Sequence, residues 1–267
     1  MIHAGKVNVL GVLLDVADYE GAVEHIVKAA KEGRSASVSA LAVHGLMTGV
    51  LDREQKYRLN HLSLVVPDGQ PVRWAMNLLH GAGLKDRVYG PNLTRYVCAR
   101  AEKEGLPVYF YGSTPSVLEG MRKKIAQLWP NLIVAGVEPS KFRRLTPQEK
   151  SELAERIRVS GAKIAFIGLG CPRQEIFGYE FQDVLPIPIL AVGAAFPFLA
   201  GELPQAPPWM QRNGLEWLFR LSTEPRRLFR RYVFLNPAYL TLLLLQATGL
   251  RSFETRGNAP TTELLYG

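Results

Sequence analysis

Short apolar runs recur along this chain, and amphipathic helical patterns separate them. The runs VNVLGV (7–12), SASVSALAV (35–43), SLVVP (63–67), PVYFYG (107–112), LIVAGV (132–137), AKIAFIGLG (162–170) and PIPILAVGAAF (186–196) are expected as strands. Residues 18–32 carry Val23, Ile26, Val27 and Ala30 on one helical face and stop at Gly33. LTRYVCARAEKEG closes on Gly105 and SVLEGMRKKIAQLW on Pro130. TPQEKSELAERIRVSG starts with Thr146 as an N-cap and Pro147 at the first helical position. Strands apolar on both faces and joined through helices bury themselves best in a parallel sheet covered on two sides. The predicted fold is therefore α/β: a Rossmann-like, mostly parallel sheet flanked by helices, followed by a C-terminal helical appendage.

The strand pattern stops near Gly201, which divides the chain into a body (1–201), a basic amphipathic appendage (202–255) and an expected loose tail (256–267). From Trp209 to Tyr232 the six arginines Arg212, Arg220, Arg226, Arg227, Arg230 and Arg231 face two acids, Glu216 and Glu224. That is +4, half of the formal net charge of +8, and it points to an anionic partner. Hydrophobic residues at 47% against 21% charged exclude global disorder. The two cysteines, Cys98 and Cys171, exclude a disulfide scaffold and suit neither a zinc knuckle nor a redox pair. The apolar run in MIHAGKVNVLGVLLDV ends at Asp15 and is expected as a strand rather than a signal peptide. The longest apolar stretch, Tyr232 to Leu250, is interrupted by Asn236, Pro237 and Gln246. Its uninterrupted part, PAYLTLLLL, is too short to span a bilayer, and the stretch is expected as a buried or interfacial helix.

In an open parallel sheet, ligands bind at the carboxyl ends of the strands. Four predicted strands end in unusual sequences, PDG (67–69), YGST (111–114), GLGCPRQE (168–175) and VGAAF (192–196), and these are expected to form one site. Gly112, Gly168, Gly170 and Gly193 would let backbone N–H groups approach a phosphate, or would serve as plain turns. Asp68 suits a general base, or an ordinary Asp-Gly turn. Gln174 and Glu175 could hydrogen-bond a sugar or base, or be the usual polar first turn of a helix. Arg220, Arg227 and Arg230 are spaced i, i+7, i+10 on one face of a continuing helix, unless Pro225 starts a new one. Their guanidinium forks suit diphosphate oxygens, and a solvated basic face is the plain alternative. Trp217, Leu221, Leu228, Phe229 and Tyr232 make the segment amphipathic, for a membrane interface or for docking onto the body. The histidines lack metal spacing and no D-x-D pair is present, so no metal is called for. A GxGxxG fingerprint and a P-loop are both missing, and no nucleic-acid motif supports a nucleic-acid partner.

Taken together, LSLVVPDGQPVRWA, RVYGPNLTRYV, YFYGST, IAFIGLGCPRQE, VGAAFPFLAG and GLEWLFRLSTEPRRLFRRY resemble the WecG/TagA/CpsF glycosyltransferases (glycosyltransferase family 26) from about Val7 to Tyr232. The resemblance implies an inverting hexosyltransferase that moves a sugar from a UDP-sugar to a polyprenyl-diphosphate-linked acceptor, without a metal cofactor. Such enzymes build enterobacterial common antigen, wall teichoic acid linkage units or exopolysaccharide. By the same resemblance Asp68 is the base, and Gln174, Arg87, Arg220, Arg227 and Arg230 bind substrate. The appendage would complete the site and meet an anionic membrane. That implies a cytoplasmic protein, peripheral on the inner face of the cell membrane, and is compatible with a homo-oligomer.

Family members commonly carry T-x-N on the second strand and R-A-P after the body. This chain has Ser39-Ala40-Leu41 and Gln205-Ala206-Pro207. Ser39 stays a candidate for substrate binding, and the donor is not taken to be N-acetylmannosamine. The alternatives are a nucleotide-dependent oxidoreductase on the same fold and a non-catalytic membrane- or nucleic-acid-binding protein.

Overall fold

A computed structural model describes residues 1–267, with all side chains except those of Arg227, Arg230 and Arg231. The chain opens with β1 (His3–Val9), β2 (Val12–Ala17), α1 (Tyr19–Glu32), β3 (Ala36–Leu41), α2 (Val43–Leu51), α3 (Arg53–Asn60) and β4 (Leu64–Pro67). It continues with α4 (Gln70–His80), α5 (Gly90–Glu104), β5 (Val108–Gly112), α6 (Pro115–Leu128), β6 (Val134–Glu138) and α7 (Pro147–Val159). Then come β7 (Ile164–Gly168), α8 (Arg173–Phe181), β8 (Pro188–Ala191) and α9 (Ala195–Ala200). The appendage is α10 (Pro208–Arg212), α11 (Glu216–Thr223) and α12 (Pro225–Ala247).

Six strands form one parallel sheet in the order β4-β3-β8-β7-β5-β6, which is the predicted α/β class. The central strands are buried along their length, as a sheet covered on both faces requires. Thr146 caps α7 in a capping box with Glu149, and Gly33 and Gly105 close α1 and α5 in the left-handed conformation.

The run 7–12 is not one strand. Leu10 and Gly11 both have positive φ (55° and 88°), and the chain reverses there into the β1–β2 hairpin, with Asn8 Oδ1 accepting the Gly11 N–H at 2.7 Å. A two-residue hairpin turn of type I′ needs positive φ at both positions. The apolar Leu10 concealed that turn inside a continuous hydrophobic run.

The appendage packs onto the body. Tyr239, 2% exposed, donates to the Pro71 carbonyl at 2.9 Å, so α12 is fixed to the start of α4. Gln246 brackets the hairpin turn, accepting the Leu10 N–H at 2.8 Å and donating to the Asn8 carbonyl at 3.1 Å. Among the described residues, no helix is long and apolar enough to cross a membrane.

Two expectations need correction here. Glu224 leaves the helical region (φ −132°, ψ 55°), so α11 and α12 are separate and Arg220 shares no continuous helix face with Arg227 and Arg230. The final residues are not loose. Asn258 N–H bonds the Arg53 carbonyl at 3.0 Å, Glu180 accepts the Leu264 and Leu265 N–H groups at 2.6 and 3.0 Å, and Tyr266 bridges to Arg144. Backbone pairing holds a segment whose composition carried no periodicity.

Candidate active site

Asp68 follows the last residue of β4, where the strand feeds into α4. Its N–H donates to the Leu41 carbonyl at 3.1 Å, which ties it to the end of β3. Its Oδ1 accepts the Gly90 N–H at 2.6 Å, at the N-terminus of α5. Burial pushes the carboxyl up to about 6, Arg87, the Gly90 N–H and Arg220 pull it down, and Glu216 raises it.

Two cavities meet at this residue. The first, about 390 Å³, lies over the strand ends. All four predicted loops reach it, through Asp68, Ser113 and Thr114, Gly168 to Cys171 with Gln174 and Glu175, and Val192 to Ala194. The second, about 650 Å³, lies between α4 and the appendage, and its walls are largely apolar: Pro71, Trp74, Leu215, Trp217, Leu221, Leu235, Tyr239 and Leu240. Ala42, His44, Asp68 and Arg220 line both.

The glycines divide into two kinds. A Cβ on Gly112 would fall 2.7 Å from the Gly168 carbonyl carbon, and one on Gly168 would fall 2.6 Å from the Phe196 ring. Gly112 therefore serves the close approach of β5 to β7 and does not line the cavity, which corrects its expected role. Gly168 lines the cavity but owes its identity to Phe196. Gly170 (φ 77°) has open space at the Cβ position and donates its N–H to Gln174 Oε1 at 3.1 Å. Gly193 (φ 36°) is pressed against that same Oε1, only 2.5 Å from where a Cβ would sit.

Gln174 and Glu175 lie in the first turn of α8 and are 5% and 1% exposed. Glu175 Oε1 accepts from Gln174 Nε2 at 3.0 Å and from Ser39 Oγ at 3.2 Å. Burial raises the Glu175 carboxyl above its ordinary range. Ser39 is fully buried and absent from both cavity walls. It holds Glu175 through that hydrogen bond and borders neither cavity, lying two residues before the end of β3.

Arg87 is 6% exposed and lines the apolar cavity. Its Nη2 meets Glu216 Oε2 at 2.5 Å and Gln211 Oε1 at 3.2 Å, and its guanidinium lies 4.2 Å over the Tyr89 ring. Arg220 stands 3.8 Å from Glu224. The side chains of Arg227 and Arg230 lie outside the described residues. Among the described residues no group of three or more His, Cys, Asp and Glu side chains converges as metal ligands would.

Sequence reasoning missed Glu216 and Gln211 as parts of the site. Glu216 sits in the GLEW block but counted there only as an acid among arginines. It also missed the apolar cavity, because its walls come from α4 and from helices more than a hundred residues later.

A parallel sheet with a cavity of mixed polarity at its strand ends, lined by a carboxyl that burial holds above its ordinary range, defines an α/β protein with an enzyme-like site. Residues 7–252 match the model of the Glycosyl transferase WecG/TagA/CpsF family. The chain belongs to that family and is a glycosyltransferase, which sets the oxidoreductase alternative aside.

Proposed function

We propose that the chain is an inverting hexosyltransferase that moves a sugar from a UDP-sugar to a polyprenyl-diphosphate-linked acceptor, for a bacterial surface polysaccharide or wall polymer. One observation carries the reading: Asp68 lines both the strand-end and the apolar cavity. The nucleotide-sugar fits the strand-end cavity, where Gly170, Gln174 and Gly193 and the N-terminus of α8 meet it. The lipid end of the acceptor fits the apolar one. Asp68 takes the proton of the acceptor hydroxyl, and the oxygen attacks the anomeric carbon from the face opposite the diphosphate. The anomeric C–O bond breaks, configuration inverts, and UDP leaves with its charge. Arg220 borders both cavities and suits the diphosphate charge without a metal ion; Arg227 and Arg230 are assigned the same task by the resemblance.

The appendage also presents Trp209, Phe229, Phe234, Leu240 and Leu244 to solvent beside its arginines. That supports a peripheral position on the inner face of the cell membrane. A panel of UDP-sugars incubated with a lipid-diphosphate-linked sugar tests the reading. It predicts UDP release with one donor and a product of inverted anomeric configuration. Transfer from a non-nucleotide donor, or none from any UDP-sugar, overturns it.

A further inference from the structure

Arg87 is expected to bind substrate, yet its guanidinium is engaged within the protein. Its partners Gln211 and Glu216 come from α10 and α11, while Tyr89 and Arg87 itself come from the body. The paired side chains of Arg87 and Glu216 are 7% and 12% exposed. Burying two charges is a poor way to gain stability, since a well-packed apolar pair does as well or better. The appendage already has apolar anchors, because Tyr239 docks on α4 and the ring of Trp74 lies against Gly214 in the α10–α11 turn. What the ion pair adds is a fixed arrangement of charge around Asp68.

We propose that Glu216 is a positioning residue for the transfer reaction: it grips the Arg87 guanidinium over Tyr89 and so fixes the arrangement of charge around Asp68. The proposal rests on the reading of Asp68 as the base. The groups facing Asp68 are Arg87, Tyr89 and the Gly90 N–H from the body, His44 from the start of α2, and Glu216 and Arg220 from α11. Glu216 opposes ionisation of Asp68, whereas Arg87 and Arg220 favour it. Removing the Glu216 charge takes away a repulsion and leaves the Arg87 charge less offset. Both changes make Asp68 ionise at lower pH.

The test is Glu216→Gln, which keeps an acceptor for Arg87 and removes the charge. Carbon-13 NMR of aspartate-labelled protein follows the Asp68 carboxyl, identified as the signal missing from Asp68→Asn. Its midpoint is expected to fall by about half a pH unit or more. The acid limb of UDP release from a UDP-sugar should move by the same amount, and amide exchange in 208–224 should quicken. An unchanged midpoint and acid limb in a folded Glu216→Gln protein overturns the proposal. Where that variant does not fold, Arg87→Gln/Glu216→Gln keeps the contact without either charge. It is expected to fold and to transfer at least tenfold more slowly; wild-type transfer overturns the proposal. The titration needs no substrate, so its failure is distinguishable from the failure to find a transfer reaction.

Discussion

The carboxylate of Asp68 accepts the backbone N–H of Gly90 at 2.6 Å, so the proposed base is fixed by the first residue of α5. The other face of the carboxyl is turned to the two cavities. Its pKa near 6 therefore reflects burial working against nearby positive charge.

A base must be ionised to accept a proton. The rate of transfer is expected to level off above pH 6 to 7 and to fall about tenfold per pH unit below pH 6. A kcat/KM profile with a lipid-diphosphate acceptor checks this, and a limb near pH 4 would contradict it.

The same value carries a stability consequence. The folded pKa of Asp68 lies above its ordinary 3.8, so the folded protein holds this proton more tightly than the unfolded chain. Stability is fully present below pH 4 and is lost as pH rises through 6. Asp68→Asn removes that loss. It is expected to be more stable than wild type by about 1–2 kcal/mol at pH 7.5, after discounting for the partial exposure of the group. The difference should vanish near pH 4, as read by thermal melts across pH.

Gly193 and Gly170 both have positive φ but differ in what an added side chain would meet. Gly193→Ala places a methyl 2.5 Å from Gln174 Oε1 and must displace that side chain. The expected result is a donor KM raised about tenfold with kcat changed less. Gly170→Ala meets open space and suffers only the positive φ of 77°. It is expected to lose about 1–2 kcal/mol of stability with a smaller change in KM. Steady-state kinetics and melts on both variants check the contrast.

Much of this site was legible in the sequence. The PDG, GLGCPRQE and VGAAF segments stood at predicted strand ends, and a parallel sheet puts such ends on one edge. Gln174 was recoverable because it stands in the first turn of a helix that follows a glycine loop. What could not be read depended on distant contacts. The burial of Ser39 under Glu175 and the seating of Glu216 on Arg87 join segments 136 and 129 residues apart. The break at Glu224 was one of two readings the sequence left open, because Pro225 suits the first position of a new helix while the arginine spacing also fitted a continuing one.

Trp74, on α4, forms one wall of the apolar cavity and is half-exposed to it. Trp74→Ala is expected to raise the KM for a long-chain lipid-diphosphate acceptor several-fold, and to leave the KM for a short, water-soluble analogue near wild type. Equal effects on both acceptors would place the lipid elsewhere.

The central claim is that Asp68 does the chemistry for ligands held in two separate cavities. The most direct measurement pairs donor binding with turnover in Asp68→Asn. The predicted result is UDP-sugar affinity within about threefold of wild type, with UDP release to the lipid-diphosphate acceptor reduced by about 10²–10⁴. Turnover within a few-fold of wild type would contradict the account.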